Sequence, residues 1–452
     1  MDNFDAKPGY VYHIKDSYFE VANDDKLMRN REDGSYRPTY YCLKDEKTGL
    51  LWVIPMSRRV KKYKGFMQKD VERYGRCLKI VIGEYAGVDA VFLLQNMFPV
   101  LPEYIDHAHV INQNPVPVNT RLQAIIGRNF RELLRLHRRG IRIVFTDILR
   151  LEKVILAHQI LTQNSVDPTT AKRAGGWTNH VYLTPTHALR LSTTKNNTQL
   201  HREAARAKSL PPSVGYPKTI ATGTTCGFEW TLSERIHGVP LSGVWDTLPP
   251  AARVKAVKQI LAIATAVHSV PVGEIESITL RTAWYCTFDK AASLADFERY
   301  VALKLFTADE GVIFRGILER FYSQNQAEPV LCHGDITTDN LLWHDGNVVS
   351  LLDFEHSVIA PRMLDIHSII NLALSPDDEP GYAAEIKTLF APYLSRRSDV
   401  DLFMGYRVLF RQRFFEFFLA EPKGDVQDCE AYRYLKYLTL SAATASVSPP
   451  KY

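Results

Sequence analysis

Residues 331–342 read LCHGDITTDNLL, and residues 349–355, after a short turn, read VSLLDFE. This stretch places a carboxylate, Asp335, five residues before an amide, Asn340, and a second carboxylate, Asp353, at the end of a predicted strand. Phosphoryl transfer from ATP needs a group that orients the attacking hydroxyl and accepts its proton, and it needs hard oxygen ligands for the Mg²⁺ that bridges the phosphates. The stretch therefore predicts a phosphotransferase site with ATP and Mg²⁺ as cofactors.

The alternative for this stretch is a purely structural one, in which His333 and Asp335 only hydrogen-bond a buried loop. An isolated His-x-Asp motif would fit that alternative equally well. The joint pattern favours the phosphotransferase site, because apolar strands flank the turn at residues 344–347 and Asp353 follows the second strand.

These motifs resemble those of the aminoglycoside phosphotransferase family, which shares the protein-kinase-like fold and carries HGDxxxxN followed by DFE. The resemblance covers about residues 170–450. It implies that Asp335 and Asn340 are catalytic residues, with Asp335 as the base. It also implies that Asn340 and Asp353 bind Mg²⁺, and that the domain has an N-lobe at about 170–237 and a C-lobe at about 238–452.

The nucleotide side of the predicted site is less regular. The resemblance places the glycine-rich turn at Gly175 and Gly176 near the nucleotide, and it implies a strand lysine, paired with a helix glutamate, that holds the phosphates. Here the lysine position is occupied by Arg190, and Glu203 is the expected partner. Arginine keeps the positive charge but has a different shape. The alternative is that Arg190 is a surface residue of the strand.

The phosphate acceptor is not assigned by the sequence. Small-molecule members of the family commonly position a cationic drug with acidic residues. The available acidic residues form no diagnostic cluster: Asp289, Asp296, Asp377, Asp378 and Glu379.

The first third of the chain is basic. Residues 1–165 contain 26 Lys and Arg against 19 Asp and Glu, although the whole chain carries only +5. Residues 51–80 hold nine basic and two acidic residues, interleaved with Tyr63, Phe66 and Tyr74. Such a stretch is suited to binding a phosphate backbone and stacking bases, while the alternative is a solvated strand end and helix face.

Within this region a hydroxyl, Ser57, is surrounded by cations, which is compatible with RNA cleavage at a fixed anionic site. Five segments in serial order resemble the ToxN/AbiQ endoribonuclease toxins of type III toxin–antitoxin systems: residues 15–19, 36–41, 52–63, 93–100 and 122–139.

The ToxN/AbiQ resemblance spans residues 8–160 and implies metal-independent RNA cleavage that leaves a cyclic phosphate. It suggests Tyr18, Arg37 and Ser57 as site residues, with Lys61 nearby. Arg37 stands where a lysine is usual, and the run from Ser57 to Arg59 replaces a Ser-Pro-Lys-like one, so the register there is open by one residue.

The two resemblances imply an α+β fold class: a twisted antiparallel β-barrel with flanking helices over 1–165, then a bilobal protein-kinase-like domain over 166–452. Apolar residues at helical spacing predict helices over 120–139 and 148–161, and residues 142–145 are expected to form a strand. A length of 452 residues with 46% hydrophobic residues predicts packed cores and excludes a disordered or fibrous chain.

The leading hypothesis is a fused toxin–antitoxin protein, in which the kinase-like domain restrains an RNA-cleaving domain by phosphorylating it in cis or in trans. The alternative is a small-molecule phosphotransferase whose N-terminal module binds nucleic acid or a partner. A third possibility is a silent kinase that acts as a binding clamp, which the intact Asp335, Asn340 and Asp353 set disfavours. We expect a cytoplasmic protein with reduced thiols, because no apolar segment suits a membrane span or a signal peptide and six cysteines are scattered.

Overall fold

The chain forms two compact units that are interleaved in sequence. The computed structural model describes residues 6–32, 34–46, 49–175, 179–195, 199–275, 289–324, 328–375, 378–422 and 424–444. The first unit comprises residues 1–198 and 219–235, and the second comprises residues 199–218 and 236–452. The domain boundary expected near residue 165 stays a prediction.

The N-terminal part of the first unit is an antiparallel sheet with helices. Its strands are β1 (Val11–Ile14), β2 (Arg31–Glu32), β3 (Ser35–Tyr36), β4 (Thr39–Lys44), β5 (Leu51–Ser57), β6 (Ile80–Tyr85), β7 (Val88–Leu93), β8 (Phe98–Val100), β9 (Ile105–Ala108), β10 (Val110–Ile111) and β11 (Asn114–Pro115). Its helices are α1 (Asp16–Ala22), α2 (Val60–Tyr74), α3 (Thr120–Arg138) and α4 (Ile148–Gln163).

The main sheet of this part is open. Its strand order is β6-β7-β5-β4-β1-β9, with β8 also paired to β5, and every pairing is antiparallel. The antiparallel sheet matches the expectation, but no pairing in the described residues joins β6 to β9, so the expected barrel is not closed there.

The two longer helices begin where side chains cap them. The side chain of Asn119 accepts a hydrogen bond from Arg121 N at the start of α3, and Asp147 does the same for Arg150 N in α4. The strand expected at residues 142–145 is wrong. This segment is a loop in which Phe145 N donates a hydrogen bond to Gln95 O. It is apolar because Val144 packs into the hydrophobic core.

The first unit also contains a five-stranded antiparallel sheet of order β12-β13-β14-β16-β15. Its strands are β12 (Lys172–Ala174), β13 (Asn179–Leu183), β14 (His187–Ser192), β15 (Thr219–Thr225) and β16 (Phe228–Glu234). Helix α4 shares one hydrophobic core with this sheet, in which Leu151 and Ile155 join Leu189 and Leu232.

The second unit is mostly helical. Its helices are α5 (Gln199–Ala207), α6 (Pro250–His268), α7 (Val272–Ile275), α8 (Lys290–Ala302), α9 (Ala308–Ser323), α10 (Met363–Ala373), α11 (Pro380–Phe390), α12 (Arg397–Ala420) and α13 (Glu430–Thr444). Its strands are β17 (Val239–Pro240), β18 (Pro329–Cys332), β19 (Leu341–His344), β20 (Asn347–Leu351) and β21 (Val358–Pro361).

Two small sheets in this unit, β17-β19-β20 and β18-β21, carry the predicted phosphotransferase motifs. Helices α9 and α12 pack closely at Gly405, where an added Cβ would lie 2.2 Å from the ring of Phe321. Among the described residues, none of the helices has the length and the apolar character that crossing a membrane requires.

Candidate active site

The loop between β18 and β19, residues 333–340, carries the first motif and is called the catalytic loop below. It turns at Gly334, whose φ of +81° lies in the left-handed region that glycine adopts without strain. The turn brings two consecutive backbone N–H groups toward α10. His333 N and Gly334 N donate to the two carboxylate oxygens of Asp365, at 2.8 and 2.9 Å.

Asp365 is fully buried and fixes this turn. Its Oδ2 also lies 2.9 Å from Nε2 of His268 on α6. Asp365, His268 and Cys332 bring possible metal-ligand atoms within 4.8 Å of one another. Because both oxygens of Asp365 already accept hydrogen bonds, we assign the group to holding the loop.

The His333 ring is held in one tautomer. Its Nε2 lies 2.8 Å from Leu352 O, to which it donates, and its Nδ1 accepts a hydrogen bond from Asp335 N at 3.2 Å. Burial lowers the pKa of His333, against the opposing effect of Asp365. The neutral ring therefore links the catalytic loop to the residue that precedes Asp353.

Asp335 and Asn340 are directly joined. The Asn340 amide Nδ2 donates to the backbone O of Asp335 at 2.9 Å and to its carboxylate Oδ2 at 3.1 Å. Both residues are half-buried, so a substrate hydroxyl can reach the Asp335 carboxylate. Since the amide nitrogen is used in this way, the Asn340 side-chain oxygen is the atom that can bind a cation.

Asp353 follows β20 in an unusual backbone conformation. Its φ and ψ are both 65°, a left-handed conformation that costs a non-glycine residue roughly 1–2 kcal/mol. Leu352 N donates to Asn340 O at 2.8 Å, so a backbone hydrogen bond joins the residue before Asp353 to Asn340. An amide and a carboxylate oxygen are hard ligands of the kind that Mg²⁺ prefers, so the Asn340 and Asp353 donors fit that ion.

Helix α5 holds the segment that follows Asp353. Glu203 is 3% exposed, and its Oε1 accepts hydrogen bonds from Phe354 N at 3.1 Å and from the Tyr216 hydroxyl at 2.8 Å. Arg206, fully buried on the same helix, donates to Ser357 O at 2.7 Å and to the Ser357 hydroxyl. No local sequence pattern indicates the Arg206 contact, because the two partners lie 151 residues apart.

The pKa of one histidine, His356, depends on the charges at this site. His356 Nε2 lies 3.2 Å from Glu355 Oε1. Burial would lower the pKa of His356, but Glu355 together with Asp335 and Asp353 raises it above its usual value. Both predicted site carboxylates therefore act on one ring.

The predicted nucleotide residues are divided between the units. Gly175 follows β12 and is exposed, and Arg190 lies half-buried on β14, opposite Val181 and Thr231. Gly176 lies outside the described residues. Glu203 belongs to the second unit, where it binds the residues described above, so its pairing with Arg190 stays a prediction.

The acidic residues considered for acceptor binding have structural partners instead. Asp289 caps α8 by accepting from Ala292 N, and Asp378 lies 3.6 Å from Arg253. Asp296 pairs with Arg299 at 3.1 Å, and burial together with Glu416 raises its pKa. Glu379 is an exposed residue before α11, and Asp377 lies outside the described residues.

The N-terminal candidate residues fall into three settings. Tyr18 is fully buried, and its hydroxyl donates to Pro99 O at 3.0 Å. Arg37 donates to Met56 O at 3.1 Å, which places it beside Ser57; the Ser57 hydroxyl, 5% exposed, accepts from Arg59 N at 3.2 Å. Lys61 is exposed on α2. The structure thus brings Arg37 and Ser57 together and shows Tyr18 in the core.

The catalytic loop, the histidine that holds it and the side-chain oxygens of Asn340 and Asp353 are the groups that a phosphotransferase site needs. Residues 169–398 match the phosphotransferase enzyme family, and because this match covers half of the chain, the chain belongs to that family.

Similar proteins carry aminoglycoside names. An aminoglycoside 3′-phosphotransferase of Escherichia coli is 25% identical over 173 residues, which are 37% of this chain and 62% of that relative. The match thus spans less than two thirds of the relative. A structure of the GDP complex of wild-type aminoglycoside 2′-phosphotransferase-IIIa covers 65% of this chain and 99% of its own at 13% identity, with a TM-score of 0.50. This likeness shows a protein-kinase-like phosphotransferase fold.

Proposed function

We propose that the protein transfers the terminal phosphate of ATP, with Mg²⁺, to a hydroxyl group. The observation that carries this proposal is the hydrogen bond between Asn340 and the Asp335 carboxylate, in a loop that Asp365 and His333 hold in place. A base within a fixed loop needs little reorganisation when the hydroxyl attacks.

Each residue has a role in this proposal. Asp335 orients the acceptor hydroxyl and takes its proton, while Asn340 and Asp353 hold the metal. Mg²⁺, when bound, would supply the positive charge that neutralises the charge developing on the phosphates. Gly175, Gly176 and Arg190 contact the nucleotide phosphates, with Glu203 placing the segment after Asp353 through Phe354.

The first candidate acceptor is a small polyhydroxylated cation. The names of the relatives support this class, although Asp289, Asp296 and Asp378 are engaged in a helix cap and ion pairs. In this version of the proposal, the basic N-terminal region binds nucleic acid or a partner and does not itself react.

The second candidate is the fused toxin–antitoxin arrangement, in which the acceptor lies on an RNA-cleaving N-terminal domain of the same chain or of another copy. It is supported by the contact of Arg37 with the residue before Ser57 and by the exposed cations Arg58, Arg59 and Lys61 that follow. A phosphate adds a charge of about −1.5 to −2, and on Ser57 it would occupy the surface suited to RNA.

Locating the transferred phosphate tests both candidates. The purified full chain is incubated with labelled ATP, or with GTP, in the presence and absence of kanamycin-like aminocyclitol drugs, and the products are separated into protein and small molecules. Label on the drug supports the first candidate, and label on the protein supports the second. If neither the drug nor the protein carries label with either nucleotide, the proposal is overturned.

A growth assay separates the two candidates in cells. Induction of the Asp335→Ala chain is compared with the wild type and with a double variant that also carries Ser57→Ala. If the single variant stops growth and the wild type does not, the second candidate is supported, and growth of the double variant would show in addition that the toxicity needs Ser57. If all three strains grow alike, the toxin reading is rejected and the small-molecule acceptor remains.

A further inference from the structure

Three histidines of the N-terminal sheet lie together, although they are far apart in sequence. His13 on β1 stands opposite His107 on β9, and His109 follows two residues later. The backbone N of His109 donates to Val11 O at 2.8 Å, which fixes the position of the third ring. These three residues are called the histidine cluster.

The rings of the histidine cluster contact one another. His13 Nε2 lies 3.0 Å from His109 Nδ1, a hydrogen bond in which one nitrogen donates and the other accepts. The His13 ring also stacks on His107, with ring centroids 4.6 Å apart. A proton taken up at the outer nitrogen of His109 can therefore be shared with His13.

The cluster is buried on one side and open on the other. His13 is 8% exposed, and within the described residues its Nδ1 is buried without a hydrogen-bond partner. His107 is exposed, and its Nδ1 lies 2.8 Å from Oδ2 of Asp106. That contact fixes the proton on Nδ1 and leaves Nε2 of His107 as the reactive nitrogen, as in other carboxylate–imidazole pairs.

The groups around the cluster are suited to a phosphate. Arg58 lies near enough to lower the pKa of His109, along with burial and His107, and it is exposed. Tyr36 meets the His13 ring edge-on at 6.0 Å, and Tyr85 lies 6.2 Å from the His109 ring. Burial is also the main cause that lowers the pKa of His13 to about 4, aided by the other two histidines and opposed by Asp106.

A cationic surface continues from Arg58. Helix α2 begins just after it with no acidic residue in its first turn, and it exposes Lys61, Lys62 and Lys64. Phe66 and Tyr74 on the same helix are 48% and 61% exposed, so flat apolar rings lie among the cations. Charges that neutralise phosphates and rings that stack on bases are the features of a single-strand binding surface.

We propose that the histidine cluster is a metal-independent acid–base site that cleaves a phosphodiester of single-stranded RNA. His107 and His109 contact the substrate, and His13 positions His109. This inference rests on the second candidate function, and it moves the chemistry from Ser57 to the histidines.

The step balances without a co-reactant. One substrate-contacting imidazole takes the proton of the ribose 2′-OH while that oxygen forms a bond to phosphorus. The bond from phosphorus to the 5′ oxygen breaks, and the other imidazole, in its protonated form, gives its proton to that leaving oxygen. The products are a 2′,3′-cyclic phosphate and a 5′-OH.

The experiment uses the full chain carrying Asp335→Asn, so that phosphorylation cannot mask the activity. A randomised single-stranded RNA pool and the matching DNA pool are incubated with it in EDTA, and the RNA ends are analysed. We expect cleavage of RNA alone, with cyclic phosphate ends. We expect His107→Asn and His109→Asn each to slow it by about 10²–10⁴-fold.

Matched variants separate catalysis from folding. His137→Asn, on α3 and outside the cluster, should cleave at the unsubstituted rate. Arg58→Gln changes an exposed side chain and should weaken RNA binding in a salt-dependent way. His13→Asn should shift the pH optimum of cleavage, a readout that a merely structural role would not move.

Three results overturn the inference, and they have different consequences. If no RNA is cleaved, the second candidate function fails as well, while phosphate transfer to a small molecule is unaffected. If cleavage persists in both histidine variants, the RNA-cleaving domain stands but its chemistry lies elsewhere. If EDTA stops cleavage and Zn²⁺ restores it, the two nitrogens at 3.0 Å are metal ligands and not an acid–base pair.

Discussion

The catalytic loop and the histidine cluster are both held by buried polar contacts, but they are assembled in different ways. In the loop, Asp365 accepts hydrogen bonds from consecutive backbone N–H groups, and His333 uses both ring nitrogens. In the cluster, rings from separate strands contact one another and one buried nitrogen of His13 has no partner in the described residues. The comparison shows that the residues of the catalytic loop, which are close in sequence, are positioned by their own backbone. The residues of the histidine cluster, which are far apart in sequence, are positioned by the register of the sheet.

The largest expected effect is on the support of the catalytic loop. Asp365→Ala leaves two buried backbone N–H groups without acceptors, so we expect it to lower the free energy of unfolding of the chain by about 3–6 kcal/mol. Urea unfolding, monitored by tryptophan fluorescence, measures this loss of free energy. Asp345→Asn, on an exposed turn where its carboxylate lies 3.4 Å from His344, keeps a residue that tolerates the left-handed backbone and should cost less than about 1 kcal/mol. Equal losses in both variants would show that the loop does not depend on Asp365.

The second effect concerns the metal. Asp353→Asn keeps the left-handed backbone, which asparagine tolerates, but removes the carboxylate charge. We expect the Mg²⁺ concentration needed for half-maximal phosphate transfer to rise by about 10–100-fold. Asp345→Asn, 87% exposed at its side chain, is the control and should leave that concentration unchanged. An unchanged Mg²⁺ requirement in Asp353→Asn would remove Asp353 from the metal site.

The third effect is on acid stability. Burial lowers the pKa of His367 on α10 to about 3, aided by Arg407 and Arg411. In the unfolded chain the His367 side chain therefore takes up a proton near pH 6.5, whereas in the folded chain it stays neutral at that pH. The free energy of unfolding falls as the pH drops below 6.5. One such residue costs about 1.4 kcal/mol per pH unit between pH 6.5 and its folded pKa.

Urea unfolding of the wild type and of His367→Gln, at pH 7 and pH 5, measures this effect. The variant should lose about 2 kcal/mol less than the wild type over that interval. The same slope in both proteins would contradict the assignment. The same urea measurement on the His13→Asn chain extends the comparison to the histidine cluster, because burial also lowers the pKa of His13.

The smallest effect is expected at the glycine-rich turn. Within the described part of the chain, an added Cβ at Gly175 meets no atom within 4 Å, so Gly175→Ala should change the free energy of unfolding by less than about 1 kcal/mol. At Gly215, with φ of +66°, an added Cβ would lie 2.1 Å from Val349 O, so Gly215→Ala should destabilise the chain clearly. If nucleotide KM rises strongly in Gly175→Ala while stability is unchanged, the turn contacts the nucleotide closely.

The phosphotransferase motifs were predictable because their parts are close in sequence. The spacing of Asp335, Asn340 and Asp353 indicated the reaction, and the strands around the 344–347 turn are present as β19 and β20. The family match confirms the phosphotransferase class, while the roles of the three residues stay predictions. Strand β18 leads directly into the catalytic loop, and Asp365 lies on α10, the helix that holds this loop. The arrangement therefore depends on one short segment and one helix.

The remaining features depend on tertiary contacts that no local pattern encodes. Arg206 and Ser357 meet across 151 residues, and His13 and His109 across 96. The ToxN/AbiQ resemblance suggested Tyr18 as a site residue, but its hydroxyl donates to Pro99 O in the core. The same resemblance implied a barrel, whereas the sheet of the described residues is open. The loop at 142–145 was predicted as a strand from its apolar residues, which indicate burial but do not specify whether they pair with a strand.

The most direct test of the central claim is single-turnover transfer of labelled phosphate by three full-length proteins: wild type, Asp335→Asn and Asp339→Asn. Asp339 is an exposed neighbour in the same loop that accepts a hydrogen bond from Ser242 at 2.5 Å, so its variant controls for a change of charge. We predict that Asp335→Asn slows transfer by about 10²–10⁴-fold while nucleotide affinity and the melting temperature stay near the wild-type values, and that Asp339→Asn remains active. Transfer at the wild-type rate by Asp335→Asn would contradict the assignment of Asp335 as the base.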